Sequence, residues 1–322
     1  MRKKQLGNSD LQVSVLCFGA NIFGWTLNDE ALSFKLLDRC LEAGLNFIDT
    51  ADIYSTWVPG NKGGESEELL GKWFKSRKNR DQVILATKVG MEMGPGKVGL
   101  KKDWIRRAID DSLMRLKTDY VDLYQSHKDD ETTPVEETMS AFADLVKQGK
   151  IRVLGASNYS AERLTESLKA SEKLKIPRYE SLQPLYNLCE REFEKTLAPL
   201  CEKENVGVIP YFSLASGFLS GKYKSREDMS KSDRGSRVEK YLNDRGFRIV
   251  EALEKVAKAT SSTPSAVALA WLMAQPSVTA PIASATNEKQ LEELITSANL
   301  ILDKASLQLL NEASDVPSAA TV

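Results

Sequence analysis

Four residues that could move a proton at a carbonyl group stand at or just beyond the ends of three strand-like apolar runs. Asp49 lies in LNFIDT and Tyr54 in the loop that follows it, Lys88 ends QVILATK, and His127 follows YVDLYQ. His127 is the only histidine in 322 residues. A lone histidine is more often structural than catalytic, so a functional interpretation depends on the four residues together.

These residue types predict proton transfer at an oxygen that becomes an alkoxide. A free tyrosine has a pKa of about 10, and the Lys88 ammonium is expected to lower the pKa of Tyr54 by favouring the phenolate. Asp49 would pair with Lys88 and keep it charged. His127 would orient or polarise the carbonyl. The set offers no metal site and no good nucleophile, so a nicotinamide is the expected source of the hydride.

Each residue alone also has an ordinary structural interpretation. Asp49 could cap a helix, Lys88 could extend along the sheet with its charge in water, and Tyr54 could be a surface aromatic. Polar side chains end the later runs as well. Because the carboxyl ends of parallel strands meet at one mouth in a closed barrel, such residues at successive strand ends favour a functional site.

Strand-like runs alternate with amphipathic segments, which is typical of an α/β protein with a parallel sheet. The predicted strands are 13–19, 45–50, 82–88, 120–125, 152–158, 179–184, 206–212 and 277–283. The predicted helices are 29–44, 104–116 capped by Asp103, 134–150, 161–174, 192–205, 246–260, 287–298 and one after Asp303, before an unstructured PSAATV end. This pattern predicts a (β/α)₈ barrel as a single domain over residues 1–322. A doubly wound sheet is the alternative, but GANIFGW after the first run lacks its glycine motif.

Two long loops, 90–102 and 222–245, are expected at the active-site face as lids. A solvated surface loop is the alternative for the second. The first contains a G-x-G-x-x-G pattern at Gly94, Gly96 and Gly99. We expect a substrate-side loop there and not a dinucleotide turn, because the pattern does not open the helix that follows.

Composition excludes several classes of partner. Net charge is −1, and no basic stripe suggests nucleic acid. No apolar run reaches the length of about 20 residues that a membrane span requires. The four cysteines are scattered, so neither a zinc site nor a disulfide framework is expected, and a reducing cytoplasm is the predicted location.

Six motifs along the chain resemble the aldo-keto reductase superfamily. They are FIDTADIY (47–54), ATK (86–88), LYQSH (123–127), GASN (155–158), SLQPLYN (181–187) and SGKY (220–223). The resemblance is strongest to a bacterial branch that also resembles potassium-channel β-subunits. It implies a (β/α)₈ TIM barrel with an N-terminal β-hairpin cap, a long loop after strand seven, and NADPH-dependent reduction of aldehydes or ketones to alcohols.

The resemblance also implies functional residues. The implied catalytic tetrad is Asp49, Tyr54, Lys88 and His127. The implied cofactor contacts are Ser157, Asn158, Gln183 and the stacking Tyr211 for the nicotinamide; Phe212, Ser213, Leu214, Gly217 and Lys222 for the phosphates; and Ser284, Thr286, Gln290 and Glu293 for the adenosine. Lys222 and Arg237 are predicted partners of a 2′-phosphate, by bidentate pairing in the case of Arg237. NADH is not excluded, because no arginine lies in 284–294.

The substrate is expected to be a small carbonyl compound held between Tyr54 and His127. Trp25, Trp57 and Met91 are predicted to form the wall beside it, although local loop packing explains them equally well. An NADPH-binding sensor or regulatory subunit with little turnover is the main alternative function. A glycosidase is disfavoured, since it needs two facing carboxylates at strand ends. The sequence does not indicate an oligomeric state.

Overall fold

A β-hairpin precedes the main sheet and covers one end of it. The computed structural model describes residues 1–223, 225–231 and 235–315. In the hairpin, β1 (Lys3–Gln5) pairs antiparallel with β2 (Gln12–Ser14). Leu6, Leu11 and Val13 of this segment are buried against apolar side chains of the main strands. The implied N-terminal cap is therefore present, and the run predicted at 13–19 is divided between the hairpin and the first main strand.

The main sheet contains eight parallel strands in the order β10-β3-β4-β5-β6-β7-β8-β9. A parallel bridge between Val208 and Val278, and a 2.9 Å hydrogen bond from the Ile282 N–H to the Pro210 carbonyl, join its two edges. The sheet thus closes on itself, which confirms the predicted barrel and excludes the open sheet. The strands are β3 (Cys17–Gly19), β4 (Phe47–Asp49), β5 (Ile84–Val89), β6 (Val121–Ser126), β7 (Ile151–Ser157), β8 (Tyr179–Gln183), β9 (Gly207–Val208) and β10 (Ile282–Ala283).

Helices follow the strands and pack outside the barrel. They are α1 (Glu30–Glu42), α2 (Glu65–Arg77), α3 (Lys102–Leu116), α4 (Val135–Lys147), α5 (Ala161–Leu174), α6 (Phe193–Glu204), α7 (Asp244–Ala259), α8 (Pro264–Met273), α9 (Glu288–Ser297) and α10 (Lys304–Ser314). In α1 the Asp29 side chain accepts a hydrogen bond from the Leu32 N–H, and Leu36, Leu37 and Cys40 are buried on one face. Within the described part of the chain, no helix is long and apolar enough to cross a membrane.

Three details of the helices differ from the sequence prediction. Helix α8 was not predicted because it is apolar all around its axis and Ser265 to Met273 are all buried, so it has no amphipathic period. Helix α2, which is charged and contains Gly71, was also missed. The predicted cap at Asp103 is wrong: α3 begins at Lys102, two residues earlier than predicted, with Lys101 at the N-cap position and Asp103 in the first turn. The PSAATV end lies outside the described residues.

Two described parts of the long segment after β9 form short helices. They are 3₁₀ helices at Arg226–Lys231 and Gly235–Tyr241. Val238 and Tyr241 are buried, and the Tyr241 ring packs on Phe218. Val238 and Tyr241 therefore attach the second short helix to the rest of the protein.

Candidate active site

A polar layer lies directly above the apolar layer inside the barrel. Phe47, Ala86 and Leu123 belong to the inner apolar cluster. Residues two apart in a strand point to the same side, so Asp49, Lys88 and Gln125 also point inward, one layer nearer the mouth. The register pairs Asp49 with Ala86 and Lys88 with Gln125, which brings the three side chains side by side.

Lys88 is the centre of this layer and is fully buried. Its ammonium donates to Asp49 Oδ2 at 2.6 Å, to the Thr50 carbonyl at 2.8 Å and to the Tyr54 hydroxyl at 2.7 Å. A lysine in a site without water keeps its charge only when such acceptors surround it. The predicted Asp49–Lys88 pair is present, and it positions Tyr54.

Tyr54 accepts from Lys88 and lies 3.2 Å from Asp49 Oδ2, to which its hydroxyl donates. Burial raises the pKa of Tyr54 well above its ordinary value, and the charge of the Asp49 carboxylate raises it further. The prediction that Lys88 lowers this pKa is therefore wrong in its net direction, because burial and Asp49 both penalise the phenolate. Tyr54 is held as the protonated phenol, the form that donates a proton.

His127 lies just beyond β6 beside the tyrosine. Its backbone N–H donates to the Val89 carbonyl at 2.8 Å, and its ring meets the Tyr54 ring edge-on with centroids 6.0 Å apart. Burial, followed by the charge of Lys88, lowers the His127 pKa well below its ordinary value. Its Nδ1 atom is buried and has no hydrogen-bond partner among the described residues. A neutral imidazole beside the Tyr54 ring is suited to hydrogen-bond a substrate oxygen.

Two glutamines complete the contacts of Asp49. Gln125 Nε2 and Gln183 Nε2 donate to Asp49 Oδ1 at 3.1 and 2.9 Å. Gln183 Nε2 also donates to Gln125 Oε1 at 3.1 Å. Gln125 was not among the predicted site residues. The signal that could have found it is its position, two residues after the inward-facing Leu123 and two residues before His127.

Residues predicted to hold the nicotinamide are joined to the predicted catalytic residues. The Ser157 hydroxyl donates to the Gln183 carbonyl at 2.8 Å. Asn158 Nδ2 donates to the His127 carbonyl at 2.9 Å, and Asn158 Oδ1 accepts from the Tyr211 hydroxyl at 2.8 Å. These bonds connect the ends of β7 and β8 and the segment after β9 along one side of the mouth.

The predicted phosphate loop turns sharply after Tyr211. Phe212, Ala215, Ser216 and Gly217 all have positive φ. A side-chain carbon added at Gly217 would lie 3.5 Å from Lys222 Nζ, so the lysine faces the turn. Phe212 is exposed and Leu214 is half-buried. Ser213 is buried, and its hydroxyl donates to the Pro210 carbonyl. The hydroxyl oxygen can therefore only accept a hydrogen bond from a ligand.

The predicted adenosine residues surround the start of α9. The Ser284 hydroxyl contacts the Gly19 carbonyl at 2.7 Å and Asn21 Oδ1 at 2.9 Å. Gln290 Oε1 accepts from both the Thr286 N–H and the Thr286 hydroxyl. Glu293 is half-buried on the same helix.

Two tryptophans form an aromatic wall beside Tyr54. The Trp57 ring lies 6.1 Å from the Tyr54 ring and 5.6 Å from the Trp25 ring, edge-on to both. The Arg237 guanidinium lies over Trp25 at 4.9 Å, so the segment after β9 reaches this wall. Met91 is half-buried in the loop after β5, and its place at the wall stays a prediction.

A second buried carboxylate lies three residues after Asp49. Both oxygens of Asp52 are buried without a hydrogen-bond partner among the described residues. Burial raises the Asp52 pKa to about 8, and the charge of Glu67 adds to the shift. Within the described residues, no group of three or more His, Cys, Asp or Glu side chains could hold a metal ion.

Comparisons with known proteins identify the family of the chain. The model of the Aldo/keto reductase family matches residues 15–315. A Bacillus subtilis protein named Uncharacterized oxidoreductase YrpG is 35% identical over 329 aligned positions, covering 100% of this chain and 98% of that protein. The Schizosaccharomyces pombe Aldo-keto reductase yakc, whose name specifies NADP(+), is 30% identical, covering 97% and 91%. An Arabidopsis thaliana Probable voltage-gated potassium channel subunit beta is 32% identical, covering 94% and 92%. The chain therefore belongs to the aldo/keto reductase family, as its motifs implied.

Proposed function

We propose that the protein reduces an aldehyde or ketone to an alcohol with NADPH. The observation that carries the proposal is the Tyr54 hydroxyl, which is hydrogen-bonded to Lys88 at 2.7 Å and lies beside a neutral His127 at the barrel mouth. A phenol in this position can give its proton to a carbonyl oxygen, while His127 fixes the direction of that oxygen by a hydrogen bond. Lys88 then faces the phenolate left behind and stabilises it.

The residues around the mouth fit a nicotinamide. When bound there, this group supplies a hydride to the carbonyl carbon. The Gln183 amide donates one hydrogen to Asp49 and the other to Gln125. Its Oε1 accepts no hydrogen bond from the described residues. This oxygen is therefore the atom that can accept a hydrogen bond from a carboxamide. Ser157 and Asn158 lie beside it, and the half-buried Tyr211 ring offers a stacking surface.

We place the phosphates at the turn after Tyr211 and the adenosine at Ser284, Thr286, Gln290 and Glu293. Lys222 faces the turn at Gly217. Arg237 contacts Trp25, in the loop whose Asn21 touches Ser284. Lys222 is the cation that supports a 2′-phosphate, and thus NADPH over NADH, whereas Arg237 lies with the aromatic wall beside Tyr54. All four cysteines are buried and unpaired, which supports a reducing compartment such as the cytoplasm.

The test is NADPH consumption by the purified protein with a reactive aromatic aldehyde, with NADH measured alongside. The proposal expects turnover that prefers NADPH. Turnover with neither cofactor across a panel of aldehydes and ketones would contradict it.

A regulatory subunit is the second candidate function. The similarity to a protein named as a probable potassium-channel β-subunit supports it. It predicts cofactor binding, seen as quenching of tryptophan fluorescence, without turnover. The complete set of Asp49, Tyr54, Lys88 and His127 favours the reductase, because binding alone needs no proton donor.

A further inference from the structure

The side chain of Gln125 touches both the catalytic pair and the nicotinamide side of the mouth. It is fully buried in β6, opposite Lys88 in register. Its Nε2 donates to Asp49 Oδ1, and its Oε1 accepts from Gln183 Nε2. Asp49 Oδ2 in turn accepts from Lys88 and Tyr54. One amide therefore lies between the proton donor and the residue proposed to hold the carboxamide.

The chemistry of these groups allows a single arrangement. A carboxylate only accepts hydrogen bonds, so both glutamines must present their NH₂ groups to Asp49. Gln125 must then turn its oxygen toward the remaining hydrogen of Gln183. Gln183 Oε1 is thereby left facing away from the catalytic pair. Without Gln125, one hydrogen of Gln183 would be unpaired, and Asp49 Oδ1 would keep only one donor.

We propose that Gln125 is a positioning residue that sets Asp49 for proton transfer and the Gln183 amide for the nicotinamide at the same time. The inference rests on the proposed function. It predicts that one substitution at Gln125 affects both turnover and binding of the nicotinamide end, while the adenosine end is unaffected.

The first variant is Gln125→Leu, which keeps the size and removes both polar groups. We expect kcat to fall about 10- to 100-fold, the usual effect of losing a hydrogen bond to a charged group. The Kd of NADP⁺ should rise about tenfold, and the Kd of 2′,5′-ADP, which lacks the nicotinamide, should stay unchanged. Both Kd values are measured by tryptophan fluorescence. Tyr124→Phe is the matched control, because this buried neighbour on β6 has a hydroxyl without a partner among the described residues.

The second variant, Gln125→Glu, gives a signature that packing alone cannot produce. When protonated, the introduced carboxyl can donate to Asp49 and accept from Gln183. When ionised, it repels Asp49 and has no hydrogen to donate. Turnover and NADP⁺ affinity relative to wild type should therefore recover as the pH falls, by about tenfold between pH 8 and pH 5.5.

Several results would overturn the inference. One is wild-type kcat and NADP⁺ affinity in Gln125→Leu. Another is equal weakening of NADP⁺ and 2′,5′-ADP, which would indicate general damage to the fold. If Gln125→Leu does not fold, the test rests on Gln125→Glu. A Gln125→Glu protein with the wild-type pH profile would also overturn the inference. If the wild-type protein lacks turnover, the proposed function fails, and the difference between the two ligands still decides the role of Gln125.

Discussion

Asp49 and Asp52 are two buried aspartates, three residues apart, on opposite sides of the barrel wall. Inside, Asp49 and Lys88 form what we call the inner pair, and four donors reach the two oxygens of Asp49. Outside, Asp52 lies near Glu67 and Arg115, which we call the outer cluster, and its oxygens have no hydrogen-bond partner among the described residues. The contrast shows that partners, and not burial alone, decide what a buried carboxyl can do.

Strand β5 separates the two sets. Lys88 points inward to Asp49, whereas Thr87 points outward and donates to Glu67 Oε1 at 2.6 Å. Arg115 pairs with Glu67 Oε2 at 2.7 Å. Successive side chains in a strand point to opposite sides. Lys88 can therefore serve the proposed chemistry, while its neighbour Thr87 serves the packing of α2 and α3.

The largest expected effect comes from breaking the inner pair. Lys88→Met should lower kcat by about 10³-fold or more, since Tyr54 loses the cation that stabilises its phenolate. It should also destabilise the fold by about 3–5 kcal/mol, because Asp49 becomes a buried charge without a cation. Steady-state kinetics and urea unfolding measure the two effects. A Lys88→Met protein that turns over like wild type would show that the pair is structural only.

An effect on stability alone, without the loss of turnover, is expected from Asp52→Asn. The Asp52 carboxyl ionises near 3.8 in the unfolded chain and near pH 8 in the folded protein. Between these values the folded protein holds a proton that the unfolded chain has released, so this group lowers stability as the pH rises. Asparagine removes that penalty.

The free energy of unfolding of Asp52→Asn relative to wild type should therefore increase by about 3–6 kcal/mol between pH 4 and pH 9. Its kcat at pH 7 should stay near the wild-type value. Urea unfolding at a series of pH values measures the difference. A difference that does not change with pH would mean that Asp52 is ionised inside the fold. Glu67, Arg115, Lys88, Tyr54 and Tyr124 also interact electrostatically with it.

The smallest effect is expected from Thr87→Val. It removes one hydrogen bond to Glu67 and should cost about 1–2 kcal/mol in stability, with kcat unchanged. Thermal unfolding and the same kinetic assay measure both. A large loss of turnover here would show that the outer cluster also acts on the site, and would remove the distinction between the two sides of β5.

The inner pair could be predicted from the sequence, whereas the outer cluster could not. Strand ends, their polar residues and the family motifs indicated Asp49, Tyr54, Lys88 and His127, because strand direction alone brings such positions to one mouth. The outer cluster depends on Glu67 of α2, a helix that was not predicted, and on Arg115 from a distant helix. The direction of the Tyr54 pKa shift also depends on burial, which residue types alone do not reveal.

Tyr54→Phe tests the central claim most directly. The variant keeps the ring against His127 and Trp57 and removes the hydroxyl held by Lys88. Turnover of NADPH with an aromatic aldehyde and the Kd of NADP⁺ are measured on the same preparation. The proposed mechanism predicts a fall in kcat of about 10²- to 10⁴-fold with a nearly unchanged Kd. A variant that retains turnover would contradict the assignment of Tyr54 as the proton donor.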